Sequence, residues 1–259
     1  MIVSDNTQAV IYSGKGAFGS SVPKMEKFIR DHLPWTISCV TEENFRPRDW
    51  DPRRTVCIFP GGMASEMERA IGDRAEDLQG FFAKGGRGLF FCGSSFAAST
   101  NRTYNGCKKT GKLNLLQGSA IGPLFPDPEV TWQNRAVELA WEKDQTHGYA
   151  MSIGGGYYLP ENPEDVNVLA RYKDGNIAVL THRYGEGLIA HSMVHFIEDG
   201  AGLLSFTDEE DRQYLNKRHP SLETCKRKLS TDFPTECLKD VLLTLNYLCS
   251  QCVSGDPVW

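Results

Sequence analysis

The chain has 259 residues, a formal net charge of −5 at pH 7, and a composition that is 40% hydrophobic and 24% charged. These values are typical of a globular protein with a sizeable core, and no dense basic segment favours nucleic acid or an anionic membrane as a partner. No apolar run approaches the roughly 20 residues of a transmembrane helix, and residues 1–6 do not resemble a secretory signal. We therefore expect a cytoplasmic protein with no membrane or nucleic-acid partner.

The eight cysteines are irregularly spaced, and several lie within apolar runs. This distribution is typical of reduced thiols in the cytoplasm rather than of a disulfide framework. The one close pair, Cys249 and Cys252, has neither a second pair nor a histidine at the spacing of a zinc site. The sequence therefore predicts no metal and no cofactor.

Short apolar runs alternate with helical patterns in the first part of the chain. Residues 9–12, 36–40 and 55–59 have the composition of strands, and an amphipathic helix follows the first of them. A second helical stretch, which is broken near Gly72, leads to a strand that ends at Cys92. Strands that alternate with helices in this way predict a parallel sheet covered on both faces.

The pattern changes after residue 104, where a basic loop is predicted at 108–112. Further strands, some of them antiparallel, are predicted from apolar runs at 137–141, 157–159, 168–172, 177–181 and 188–195. A hairpin turn is expected at Gly175 and Asn176. The stripe from Leu238 to Cys249 predicts a helix that packs on the sheet. We expect one domain over residues 1–259, with 201–259 as its helical C-terminal part.

The stretch 85–99 carries the clearest signal of a functional residue. A glycine-led apolar run ends at Cys92 and is followed by the small residues Gly93 and Ser94, which is the pattern of a sharp strand-to-helix turn. Such a turn exposes the cysteine above the sheet, and the positive end of the following helix favours its thiolate form. Both small residues are candidate binding residues. The alternative is a structural cysteine that packs as a small hydrophobic residue.

Three loops are expected to meet at one edge of the sheet, because the carboxyl ends of parallel strands share that edge. They contain Gly61 and Gly62, Cys92 and Gly93, and His195. A cysteine and a histidine are the minimum for acyl transfer by a thiol, since the imidazole takes the thiol proton and returns it to the leaving group. The backbone N–H groups of the three glycines are suited to hold the oxyanion.

Several motifs resemble those of class I glutamine amidotransferase-like proteins, and more specifically the N-terminal domain of biotin–protein ligases and its free-standing relatives. They are the Phe-Pro-Gly-Gly run at 59–62, the Cys92 elbow, the strand and loop at 10–16, the glycine-containing segments at 118–123 and 154–156, and the final strand at 184–195. The resemblance implies a flavodoxin-like, doubly wound α/β fold with a mostly parallel sheet, helices on both faces and some antiparallel additions. It also implies a nucleophile at Cys92 and a base at His195.

The sequence departs from the class I pattern on both sides of the site. The flanking positions at which class I proteins have glycine around Cys92 hold phenylalanine and serine, and the usual His-Pro-Glu ending is His-Phe-Ile at 195–197. The carboxylate that would orient His195 is therefore displaced to Glu198 or Asp199. No biotin-transferring domain is recognised, so we do not expect biotin ligation.

Two other features have both a functional and a structural interpretation. The Gly-x-Gly-x-x-Gly pattern at 14–19 follows a strand and opens a helix, as dinucleotide-binding loops do, with Glu42 or Glu43 at the distance of a ribose contact. A tight first loop of a doubly wound sheet also explains these glycines, and the resemblance favours it. Glu66 and Glu68 follow the Pro-Gly-Gly turn, where they either contact a ligand or lie on an exposed helix face.

Two hypotheses for function follow. In the first, the chain is a hydrolase or amidotransferase in which Cys92 attacks an amide or acyl carbon of a small-molecule substrate, His195 moves the proton and Glu198 orients it. In the second, the chain is a non-catalytic member of the same fold that binds a small molecule or a protein partner in the same cleft. The displaced carboxylate favours the second hypothesis, and the presence of Cys92 and His195 favours the first. His191, earlier on the same strand, is expected to be a core histidine.

Overall fold

The structure, a computed structural model, describes residues 7–125, 134–198 and 227–251. Within them, one mixed sheet contains thirteen strands: β1 (Gln8–Tyr12), β2 (Thr36–Val40), β3 (Thr55–Phe59), β4 (Arg87–Phe91), β5 (Ser99–Tyr104), β6 (Cys107–Thr110), β7 (Leu116–Gly122), β8 (Asn134–Trp141), β9 (His147–Ile153), β10 (Tyr157–Pro160), β11 (Val166–Tyr172), β12 (Ile177–Tyr184) and β13 (Gly187–Ser192). The helices used below are α1 (Ser21–His32), α2 (Ala64–Ile71), α3 (Ala75–Ala83), α4 (Gly93–Ala98) and α5 (Phe233–Gln251).

Five strands form the parallel part of the sheet, in the order β2-β1-β3-β4-β13. Their side chains enter two apolar cores, because successive side chains of a strand point to opposite faces. On one face Ile58 and Phe91 pack with α1 and α5, and on the other Phe59 and Phe90 pack with α2 and α3. This cover on both faces confirms the predicted doubly wound α/β fold.

A mostly antiparallel extension, in which only β5 and β7 among the described strands pair in parallel, begins at β12, which pairs with β13. From β12 one branch runs through β10, β7, β5 and β6, and a second branch runs through β11, β8 and β9. The hairpin between β11 and β12 turns at Gly175, whose φ is +86°. The predicted antiparallel additions and the hairpin turn are therefore confirmed.

Four strands have no counterpart among the predicted elements: β5, β6, β7 and β9. The predicted basic loop at 108–112 is wrong in its first part, because Cys107–Thr110 forms the edge strand β6. Every residue of β6 is exposed, so no alternation of apolar and polar residues marks it in the sequence. Lysines on an edge strand discourage pairing with another chain.

Helix α5 buries the predicted apolar stripe from Leu238 to Leu245. Leu238, Val241, Leu242 and Leu245 lie in the same core as α1. The rest of the predicted C-terminal part, residues 201–226 and 252–259, lies outside the described residues. In the segments that the structure covers, no helix combines the length and hydropathy needed to cross a membrane.

Candidate active site

The carboxyl ends of β3, β4 and β13 lie side by side. Phe59 of β3 is in register with Phe90 of β4, and β13 is parallel to β4 on its other side. The Cys92 N–H donates to the Ser192 carbonyl of β13 at 2.7 Å. The three predicted loops therefore follow neighbouring strands at one edge of the sheet.

Cys92 forms the elbow between β4 and α4 in a strained backbone conformation. Its φ of 43° and ψ of −113° lie outside the regions that L-residues ordinarily adopt. A Cβ on Gly93 would overlap the Gly62 carbonyl oxygen, so the elbow and the turn after β3 touch through their backbones. Ser94 is fully buried, and its hydroxyl lies 3.0 Å from the Phe59 carbonyl oxygen. The same hydroxyl is 2.7 Å from the Phe91 carbonyl oxygen, so Ser94 lies between the ends of β3 and β4.

The Cys92 thiol is in a desolvated environment. The residue is only 4% exposed, and its Sγ donates to the Ile153 carbonyl at 3.2 Å. Burial raises the pKa of the thiol to about 12, although the Gly93 N–H bonds to the sulfur and acts in the opposite direction. In this conformation burial therefore opposes the thiolate form that the sequence predicts, because desolvation disfavours a buried anion.

His195 is almost completely buried against Phe91 and Gly61, and no hydrogen bond connects its ring to the Cys92 thiol. Its ring stacks on Phe91 with centroids 6.1 Å apart, and its Cε1 is 2.7 Å from the position of a Cβ on Gly61. Two backbone hydrogen bonds between His195 and Met151 fix the backbone at His195. Neither ring nitrogen has a hydrogen-bond partner among the described residues. Burial lowers the pKa of His195 to about 4, so the imidazole is neutral at pH 7.

Glu198, the acid predicted to orient His195, has its hydrogen bonds elsewhere. It is buried, accepts from the Ser21 hydroxyl at 2.8 Å and pairs with the Lys24 ammonium, and both of these partners belong to the first turn of α1. Its charge still raises the pKa of His195, while that of Lys24 lowers it. Glu198 therefore acts on His195 through its charge and anchors α1 through its hydrogen bonds. Asp199, the other candidate, lies outside the described residues.

A pocket of about 150 Å³ opens beside the thiol. Of the predicted site residues, Cys92, Gly62 and Gly93 line it, whereas Gly61 contacts His195. The other walls come from segments that are distant in sequence, and they include Phe18, Met63, Phe96, Arg102, Tyr104 and Ile153. Sequence patterns did not single out these six residues, because no local motif connects them.

Comparison with known families decides the classification. The model of the family described as "Biotin-protein ligase, N terminal" matches residues 7–254. The chain belongs to this family. The match covers nearly the whole chain and confirms the family resemblance predicted from the short motifs.

Solved structures share the fold of this biotin-protein ligase N-terminal family member at low sequence identity. A glutamine amidotransferase from Thermotoga maritima has a TM-score of 0.60 at 11% identity, over 93% of this chain and 98% of that chain. A cytoplasmic protein from Salmonella typhimurium LT2 has a TM-score of 0.53 at 9% identity, over 93% of this chain and 100% of that chain. At these identities the likeness shows the fold alone. The sequence has no significant match among curated proteins.

In this family member, carboxylates contact both the loop at 14–19 and the first turn of α1. In the loop at 14–19, the Lys15 N–H donates to Glu42 at 3.0 Å. At the first turn of α1, where a pyrophosphate would meet the helix N-terminus, Glu198 is bonded instead. The buried carboxylate of Glu198 disfavours a phosphate at the first turn of α1, which favours the tight-loop interpretation of the glycines.

The two glutamates that follow the Pro-Gly-Gly turn differ in their environments. Glu66 is exposed, whereas Glu68 is buried and its carboxylate pairs with both terminal nitrogens of Arg102. Position 68 belongs to the stripe that Met67 and Ile71 form on the buried side of α2. A charged residue inside an apolar helical stripe was the available signal for this pair.

Proposed function

We propose that the chain is a cysteine-dependent hydrolase or amidotransferase that acts on an amide or other acyl group of a small molecule. The proposal rests chiefly on the elbow, because a non-glycine residue in such a conformation costs about 1–3 kcal/mol. The elbow places Cys92 on the wall of a pocket with the Gly93 N–H at its sulfur. Cys57, in the middle of β3, is buried as a structural cysteine that neither forms an elbow nor lines the pocket.

In the proposed reaction, the Cys92 proton moves to a nitrogen of His195 as Sγ bonds to the acyl carbon. The carbonyl oxygen takes up the negative charge, and we assign the N–H groups of Gly62 and Gly93, both on the pocket wall, as its donors. The tetrahedral intermediate then expels the leaving group, which takes the proton from His195. Water, or an acceptor amine, attacks the thioester and restores the thiol.

The protonation states favour general-base catalysis over a preformed ion pair. The His195 imidazole is neutral at pH 7 and can accept a proton, and the Cys92 thiol is neutral as well. In this structure the thiol donates to the Ile153 carbonyl. A bound substrate must therefore displace that hydrogen bond before the proton can reach His195.

The proposal includes a reduced cytoplasmic location, because cysteines there are kept as thiols rather than joined in disulfides. Five cysteines whose side chains the structure describes are free thiols: Cys39, Cys57, Cys92, Cys107 and Cys237. Both a hydrolase and an amidotransferase of this kind require a small-molecule substrate. An amidotransferase would also need a protein partner to accept its product.

A non-catalytic member that binds a small molecule or a protein partner in the same pocket is the second candidate. Two observations favour it. Burial holds the pKa of Cys92 far above that of an activated thiol. The carboxylate of Glu198 is engaged by α1 rather than by His195.

The pH dependence of iodoacetamide labelling separates the two candidates. If neutral His195 takes the thiol proton during the reaction, the labelling rate of Cys92 should be nearly constant between pH 6 and 8. Without such a base only the thiolate reacts, and the labelling rate should rise about tenfold per pH unit as the thiolate fraction rises. We expect the flat profile in the wild type and the steep profile in His195→Ala, with Cys92→Ser identifying the labelled site. A steep profile in both proteins would support the non-catalytic candidate.

A further inference from the structure

The pocket beside Cys92 is small and mainly apolar. Its volume is about 150 Å³, and an apolar protein cavity of about that size holds benzene. The apolar side chains on its wall are Phe18, Met63, Phe96 and Ile153. Tyr104 also lines it, and burial raises the pKa of this phenol to about 12, as expected where water is scarce.

Among the lining residues that the structure describes, Arg102 is the one charged side chain. Both of its terminal nitrogens bond to the Glu68 carboxylate, whose Oε1 also accepts from the Lys112 N–H at 3.0 Å. The side chains of Arg102 and Glu68 are 7% and 8% exposed, so the pair is held away from water. A carboxylate that enters the pocket must compete with Glu68 for a guanidinium that is already bonded through two nitrogens.

The backbone groups on the pocket wall are better suited to stabilise the oxyanion of the reaction than to bind a charged group of the substrate. Ala64, the first residue of α2, lines the pocket, and so does the backbone of Gly93 at the elbow. Helix starts carry partial positive charge, which stabilises an oxyanion and disfavours an ammonium group. An amino-acid substrate would thus bring a carboxylate and an ammonium into a pocket that has no uncommitted charged partner among the described lining residues.

We infer that this pocket selects a small, uncharged and largely apolar acyl group, and that Glu68 sets the selectivity by cancelling the charge of Arg102. The inference rests on the proposed function and names its substrate class. That class is an amide, ester or thioester of a short aliphatic or aromatic acid, rather than an amino acid with free carboxylate and ammonium groups.

Iodoacetamide and iodoacetate test this inference, because they are similar in size and differ in charge. The labelling rate of Cys92 is measured with each reagent by peptide mass spectrometry and divided by the rate of the exposed Cys107 in the same molecule. In the wild type we expect the ratio of the iodoacetamide rate to the iodoacetate rate to be at least about tenfold larger at Cys92 than at Cys107.

The matched variants assign the selectivity to one carboxylate. Glu68→Gln leaves the charge of Arg102 uncancelled, and we expect it to raise the relative iodoacetate rate at Cys92 about tenfold or more. Glu66→Gln makes the same change on the exposed side of α2 and should leave the ratio unchanged. The double variant Glu68→Met with Arg102→Met removes both charges and should keep the wild-type preference, which provides a second test if Glu68→Gln does not fold.

Three results would overturn the inference: equal normalised rates for the two reagents in the wild type, an unchanged ratio in folded Glu68→Gln, or no labelling of Cys92 by iodoacetamide while Cys107 reacts. Failure of the proposed function has a different signature. It appears as a steep pH profile that His195→Ala does not change, whatever the ratio between the two reagents.

Discussion

The contact between Gly93 and Gly62 is a tight constraint at the scale of single residues. The Cβ of any residue at position 93 would overlap the Gly62 carbonyl oxygen, and both glycines line the pocket. A side chain there must push the turn after β3 away from the elbow. The two backbone groups that we assign to the oxyanion would then move apart.

Gly93→Ala is expected to lower the free energy of unfolding by about 1–3 kcal/mol, because both partners of the clash belong to the backbone. Gly80→Ala is the control, since a Cβ at position 80 of α3 meets nothing within 4 Å. It should be neutral or stabilising by up to about 1 kcal/mol. Urea unfolding measures both variants, and a Gly93→Ala protein as stable as Gly80→Ala would show that the elbow does not press on the turn.

The position of Cys92 could be predicted from the sequence, but its protonation state could not. A strand followed by two small residues indicates a sharp turn from local pattern alone. The groups that bury the thiol, such as Ile153 on β9, come from a segment 61 residues away. Glu198 is similar, because its partner Lys24 lies 174 residues earlier in the chain. Long-range contacts of this kind leave no local sequence signal.

At the scale of elements, helix α1 is tied to the end of the sheet by one buried carboxylate. Glu198 follows β13 and holds Ser21 and Lys24 in the first turn of α1. The same helix packs its apolar face on the core that contains Phe91. The anchor therefore joins α1 to the strands that carry the elbow and His195.

Lys24→Met should lower the free energy of unfolding by about 1–3 kcal/mol, because it leaves the buried Glu198 carboxylate without its cation. The estimate is at the low end for buried pairs because the Lys24 side chain is 32% exposed. Adding Glu198→Met to this variant should restore most of the loss. Chemical denaturation of the single and double variants gives both numbers.

Lys27→Met is the matched control on the same helix. It removes an ion pair with Asp31 whose side chains are both exposed, and it should change stability by less than about 0.5 kcal/mol. Equal losses in Lys24→Met and Lys27→Met would contradict the anchoring role of Glu198.

Strands could be predicted where both of their faces are buried. Strand β4 is buried along its whole length and appears in the sequence as a continuous apolar run. Strand β6 is exposed along its whole length, so only its pairing with β5 defines it. The branching of the sheet at β12 likewise depends on pairings between distant segments, which hydrophobic periodicity does not encode.

At the scale of the whole molecule, three buried histidines couple stability to pH. The Nε2 atoms of His182 and His191 are 3.1 Å apart, and His191 is a fully buried core histidine as predicted. Burial lowers the pKa of both residues and of His195. At mildly acidic pH the unfolded chain therefore binds more protons at these histidines than the folded protein does.

Stability should be highest above pH 6.5 and should fall as the pH decreases toward 4. Below about pH 6.5 the histidines of the unfolded chain bind protons, while those of the folded protein do not. Each of them therefore lowers the free energy of unfolding by up to about 1.4 kcal/mol per pH unit as the pH falls. For His195 this loss of stability ends near pH 4, where the folded protein also binds the proton, because its folded pKa is about 4. Denaturation at pH 7.5, 6 and 5 measures the slope.

His191→Phe should reduce that slope, because it removes a buried imidazole that the folded protein keeps unprotonated. Phenylalanine keeps the packing of the His191 ring against Phe90. An unfolding free energy that stays constant from pH 7.5 to 5 would contradict this prediction.

The most direct test of acyl transfer at Cys92 is intact-protein and peptide mass spectrometry after mixing with p-nitrophenyl acetate, a small uncharged acyl donor. We expect the wild type to form and then lose an acetyl group on Cys92 while p-nitrophenol release continues beyond one equivalent. Cys92→Ser should show neither step, and His195→Ala should be slower by about 10²- to 10⁴-fold. Acetylation confined to other residues, or a Cys92 adduct that never turns over, would contradict the proposed function.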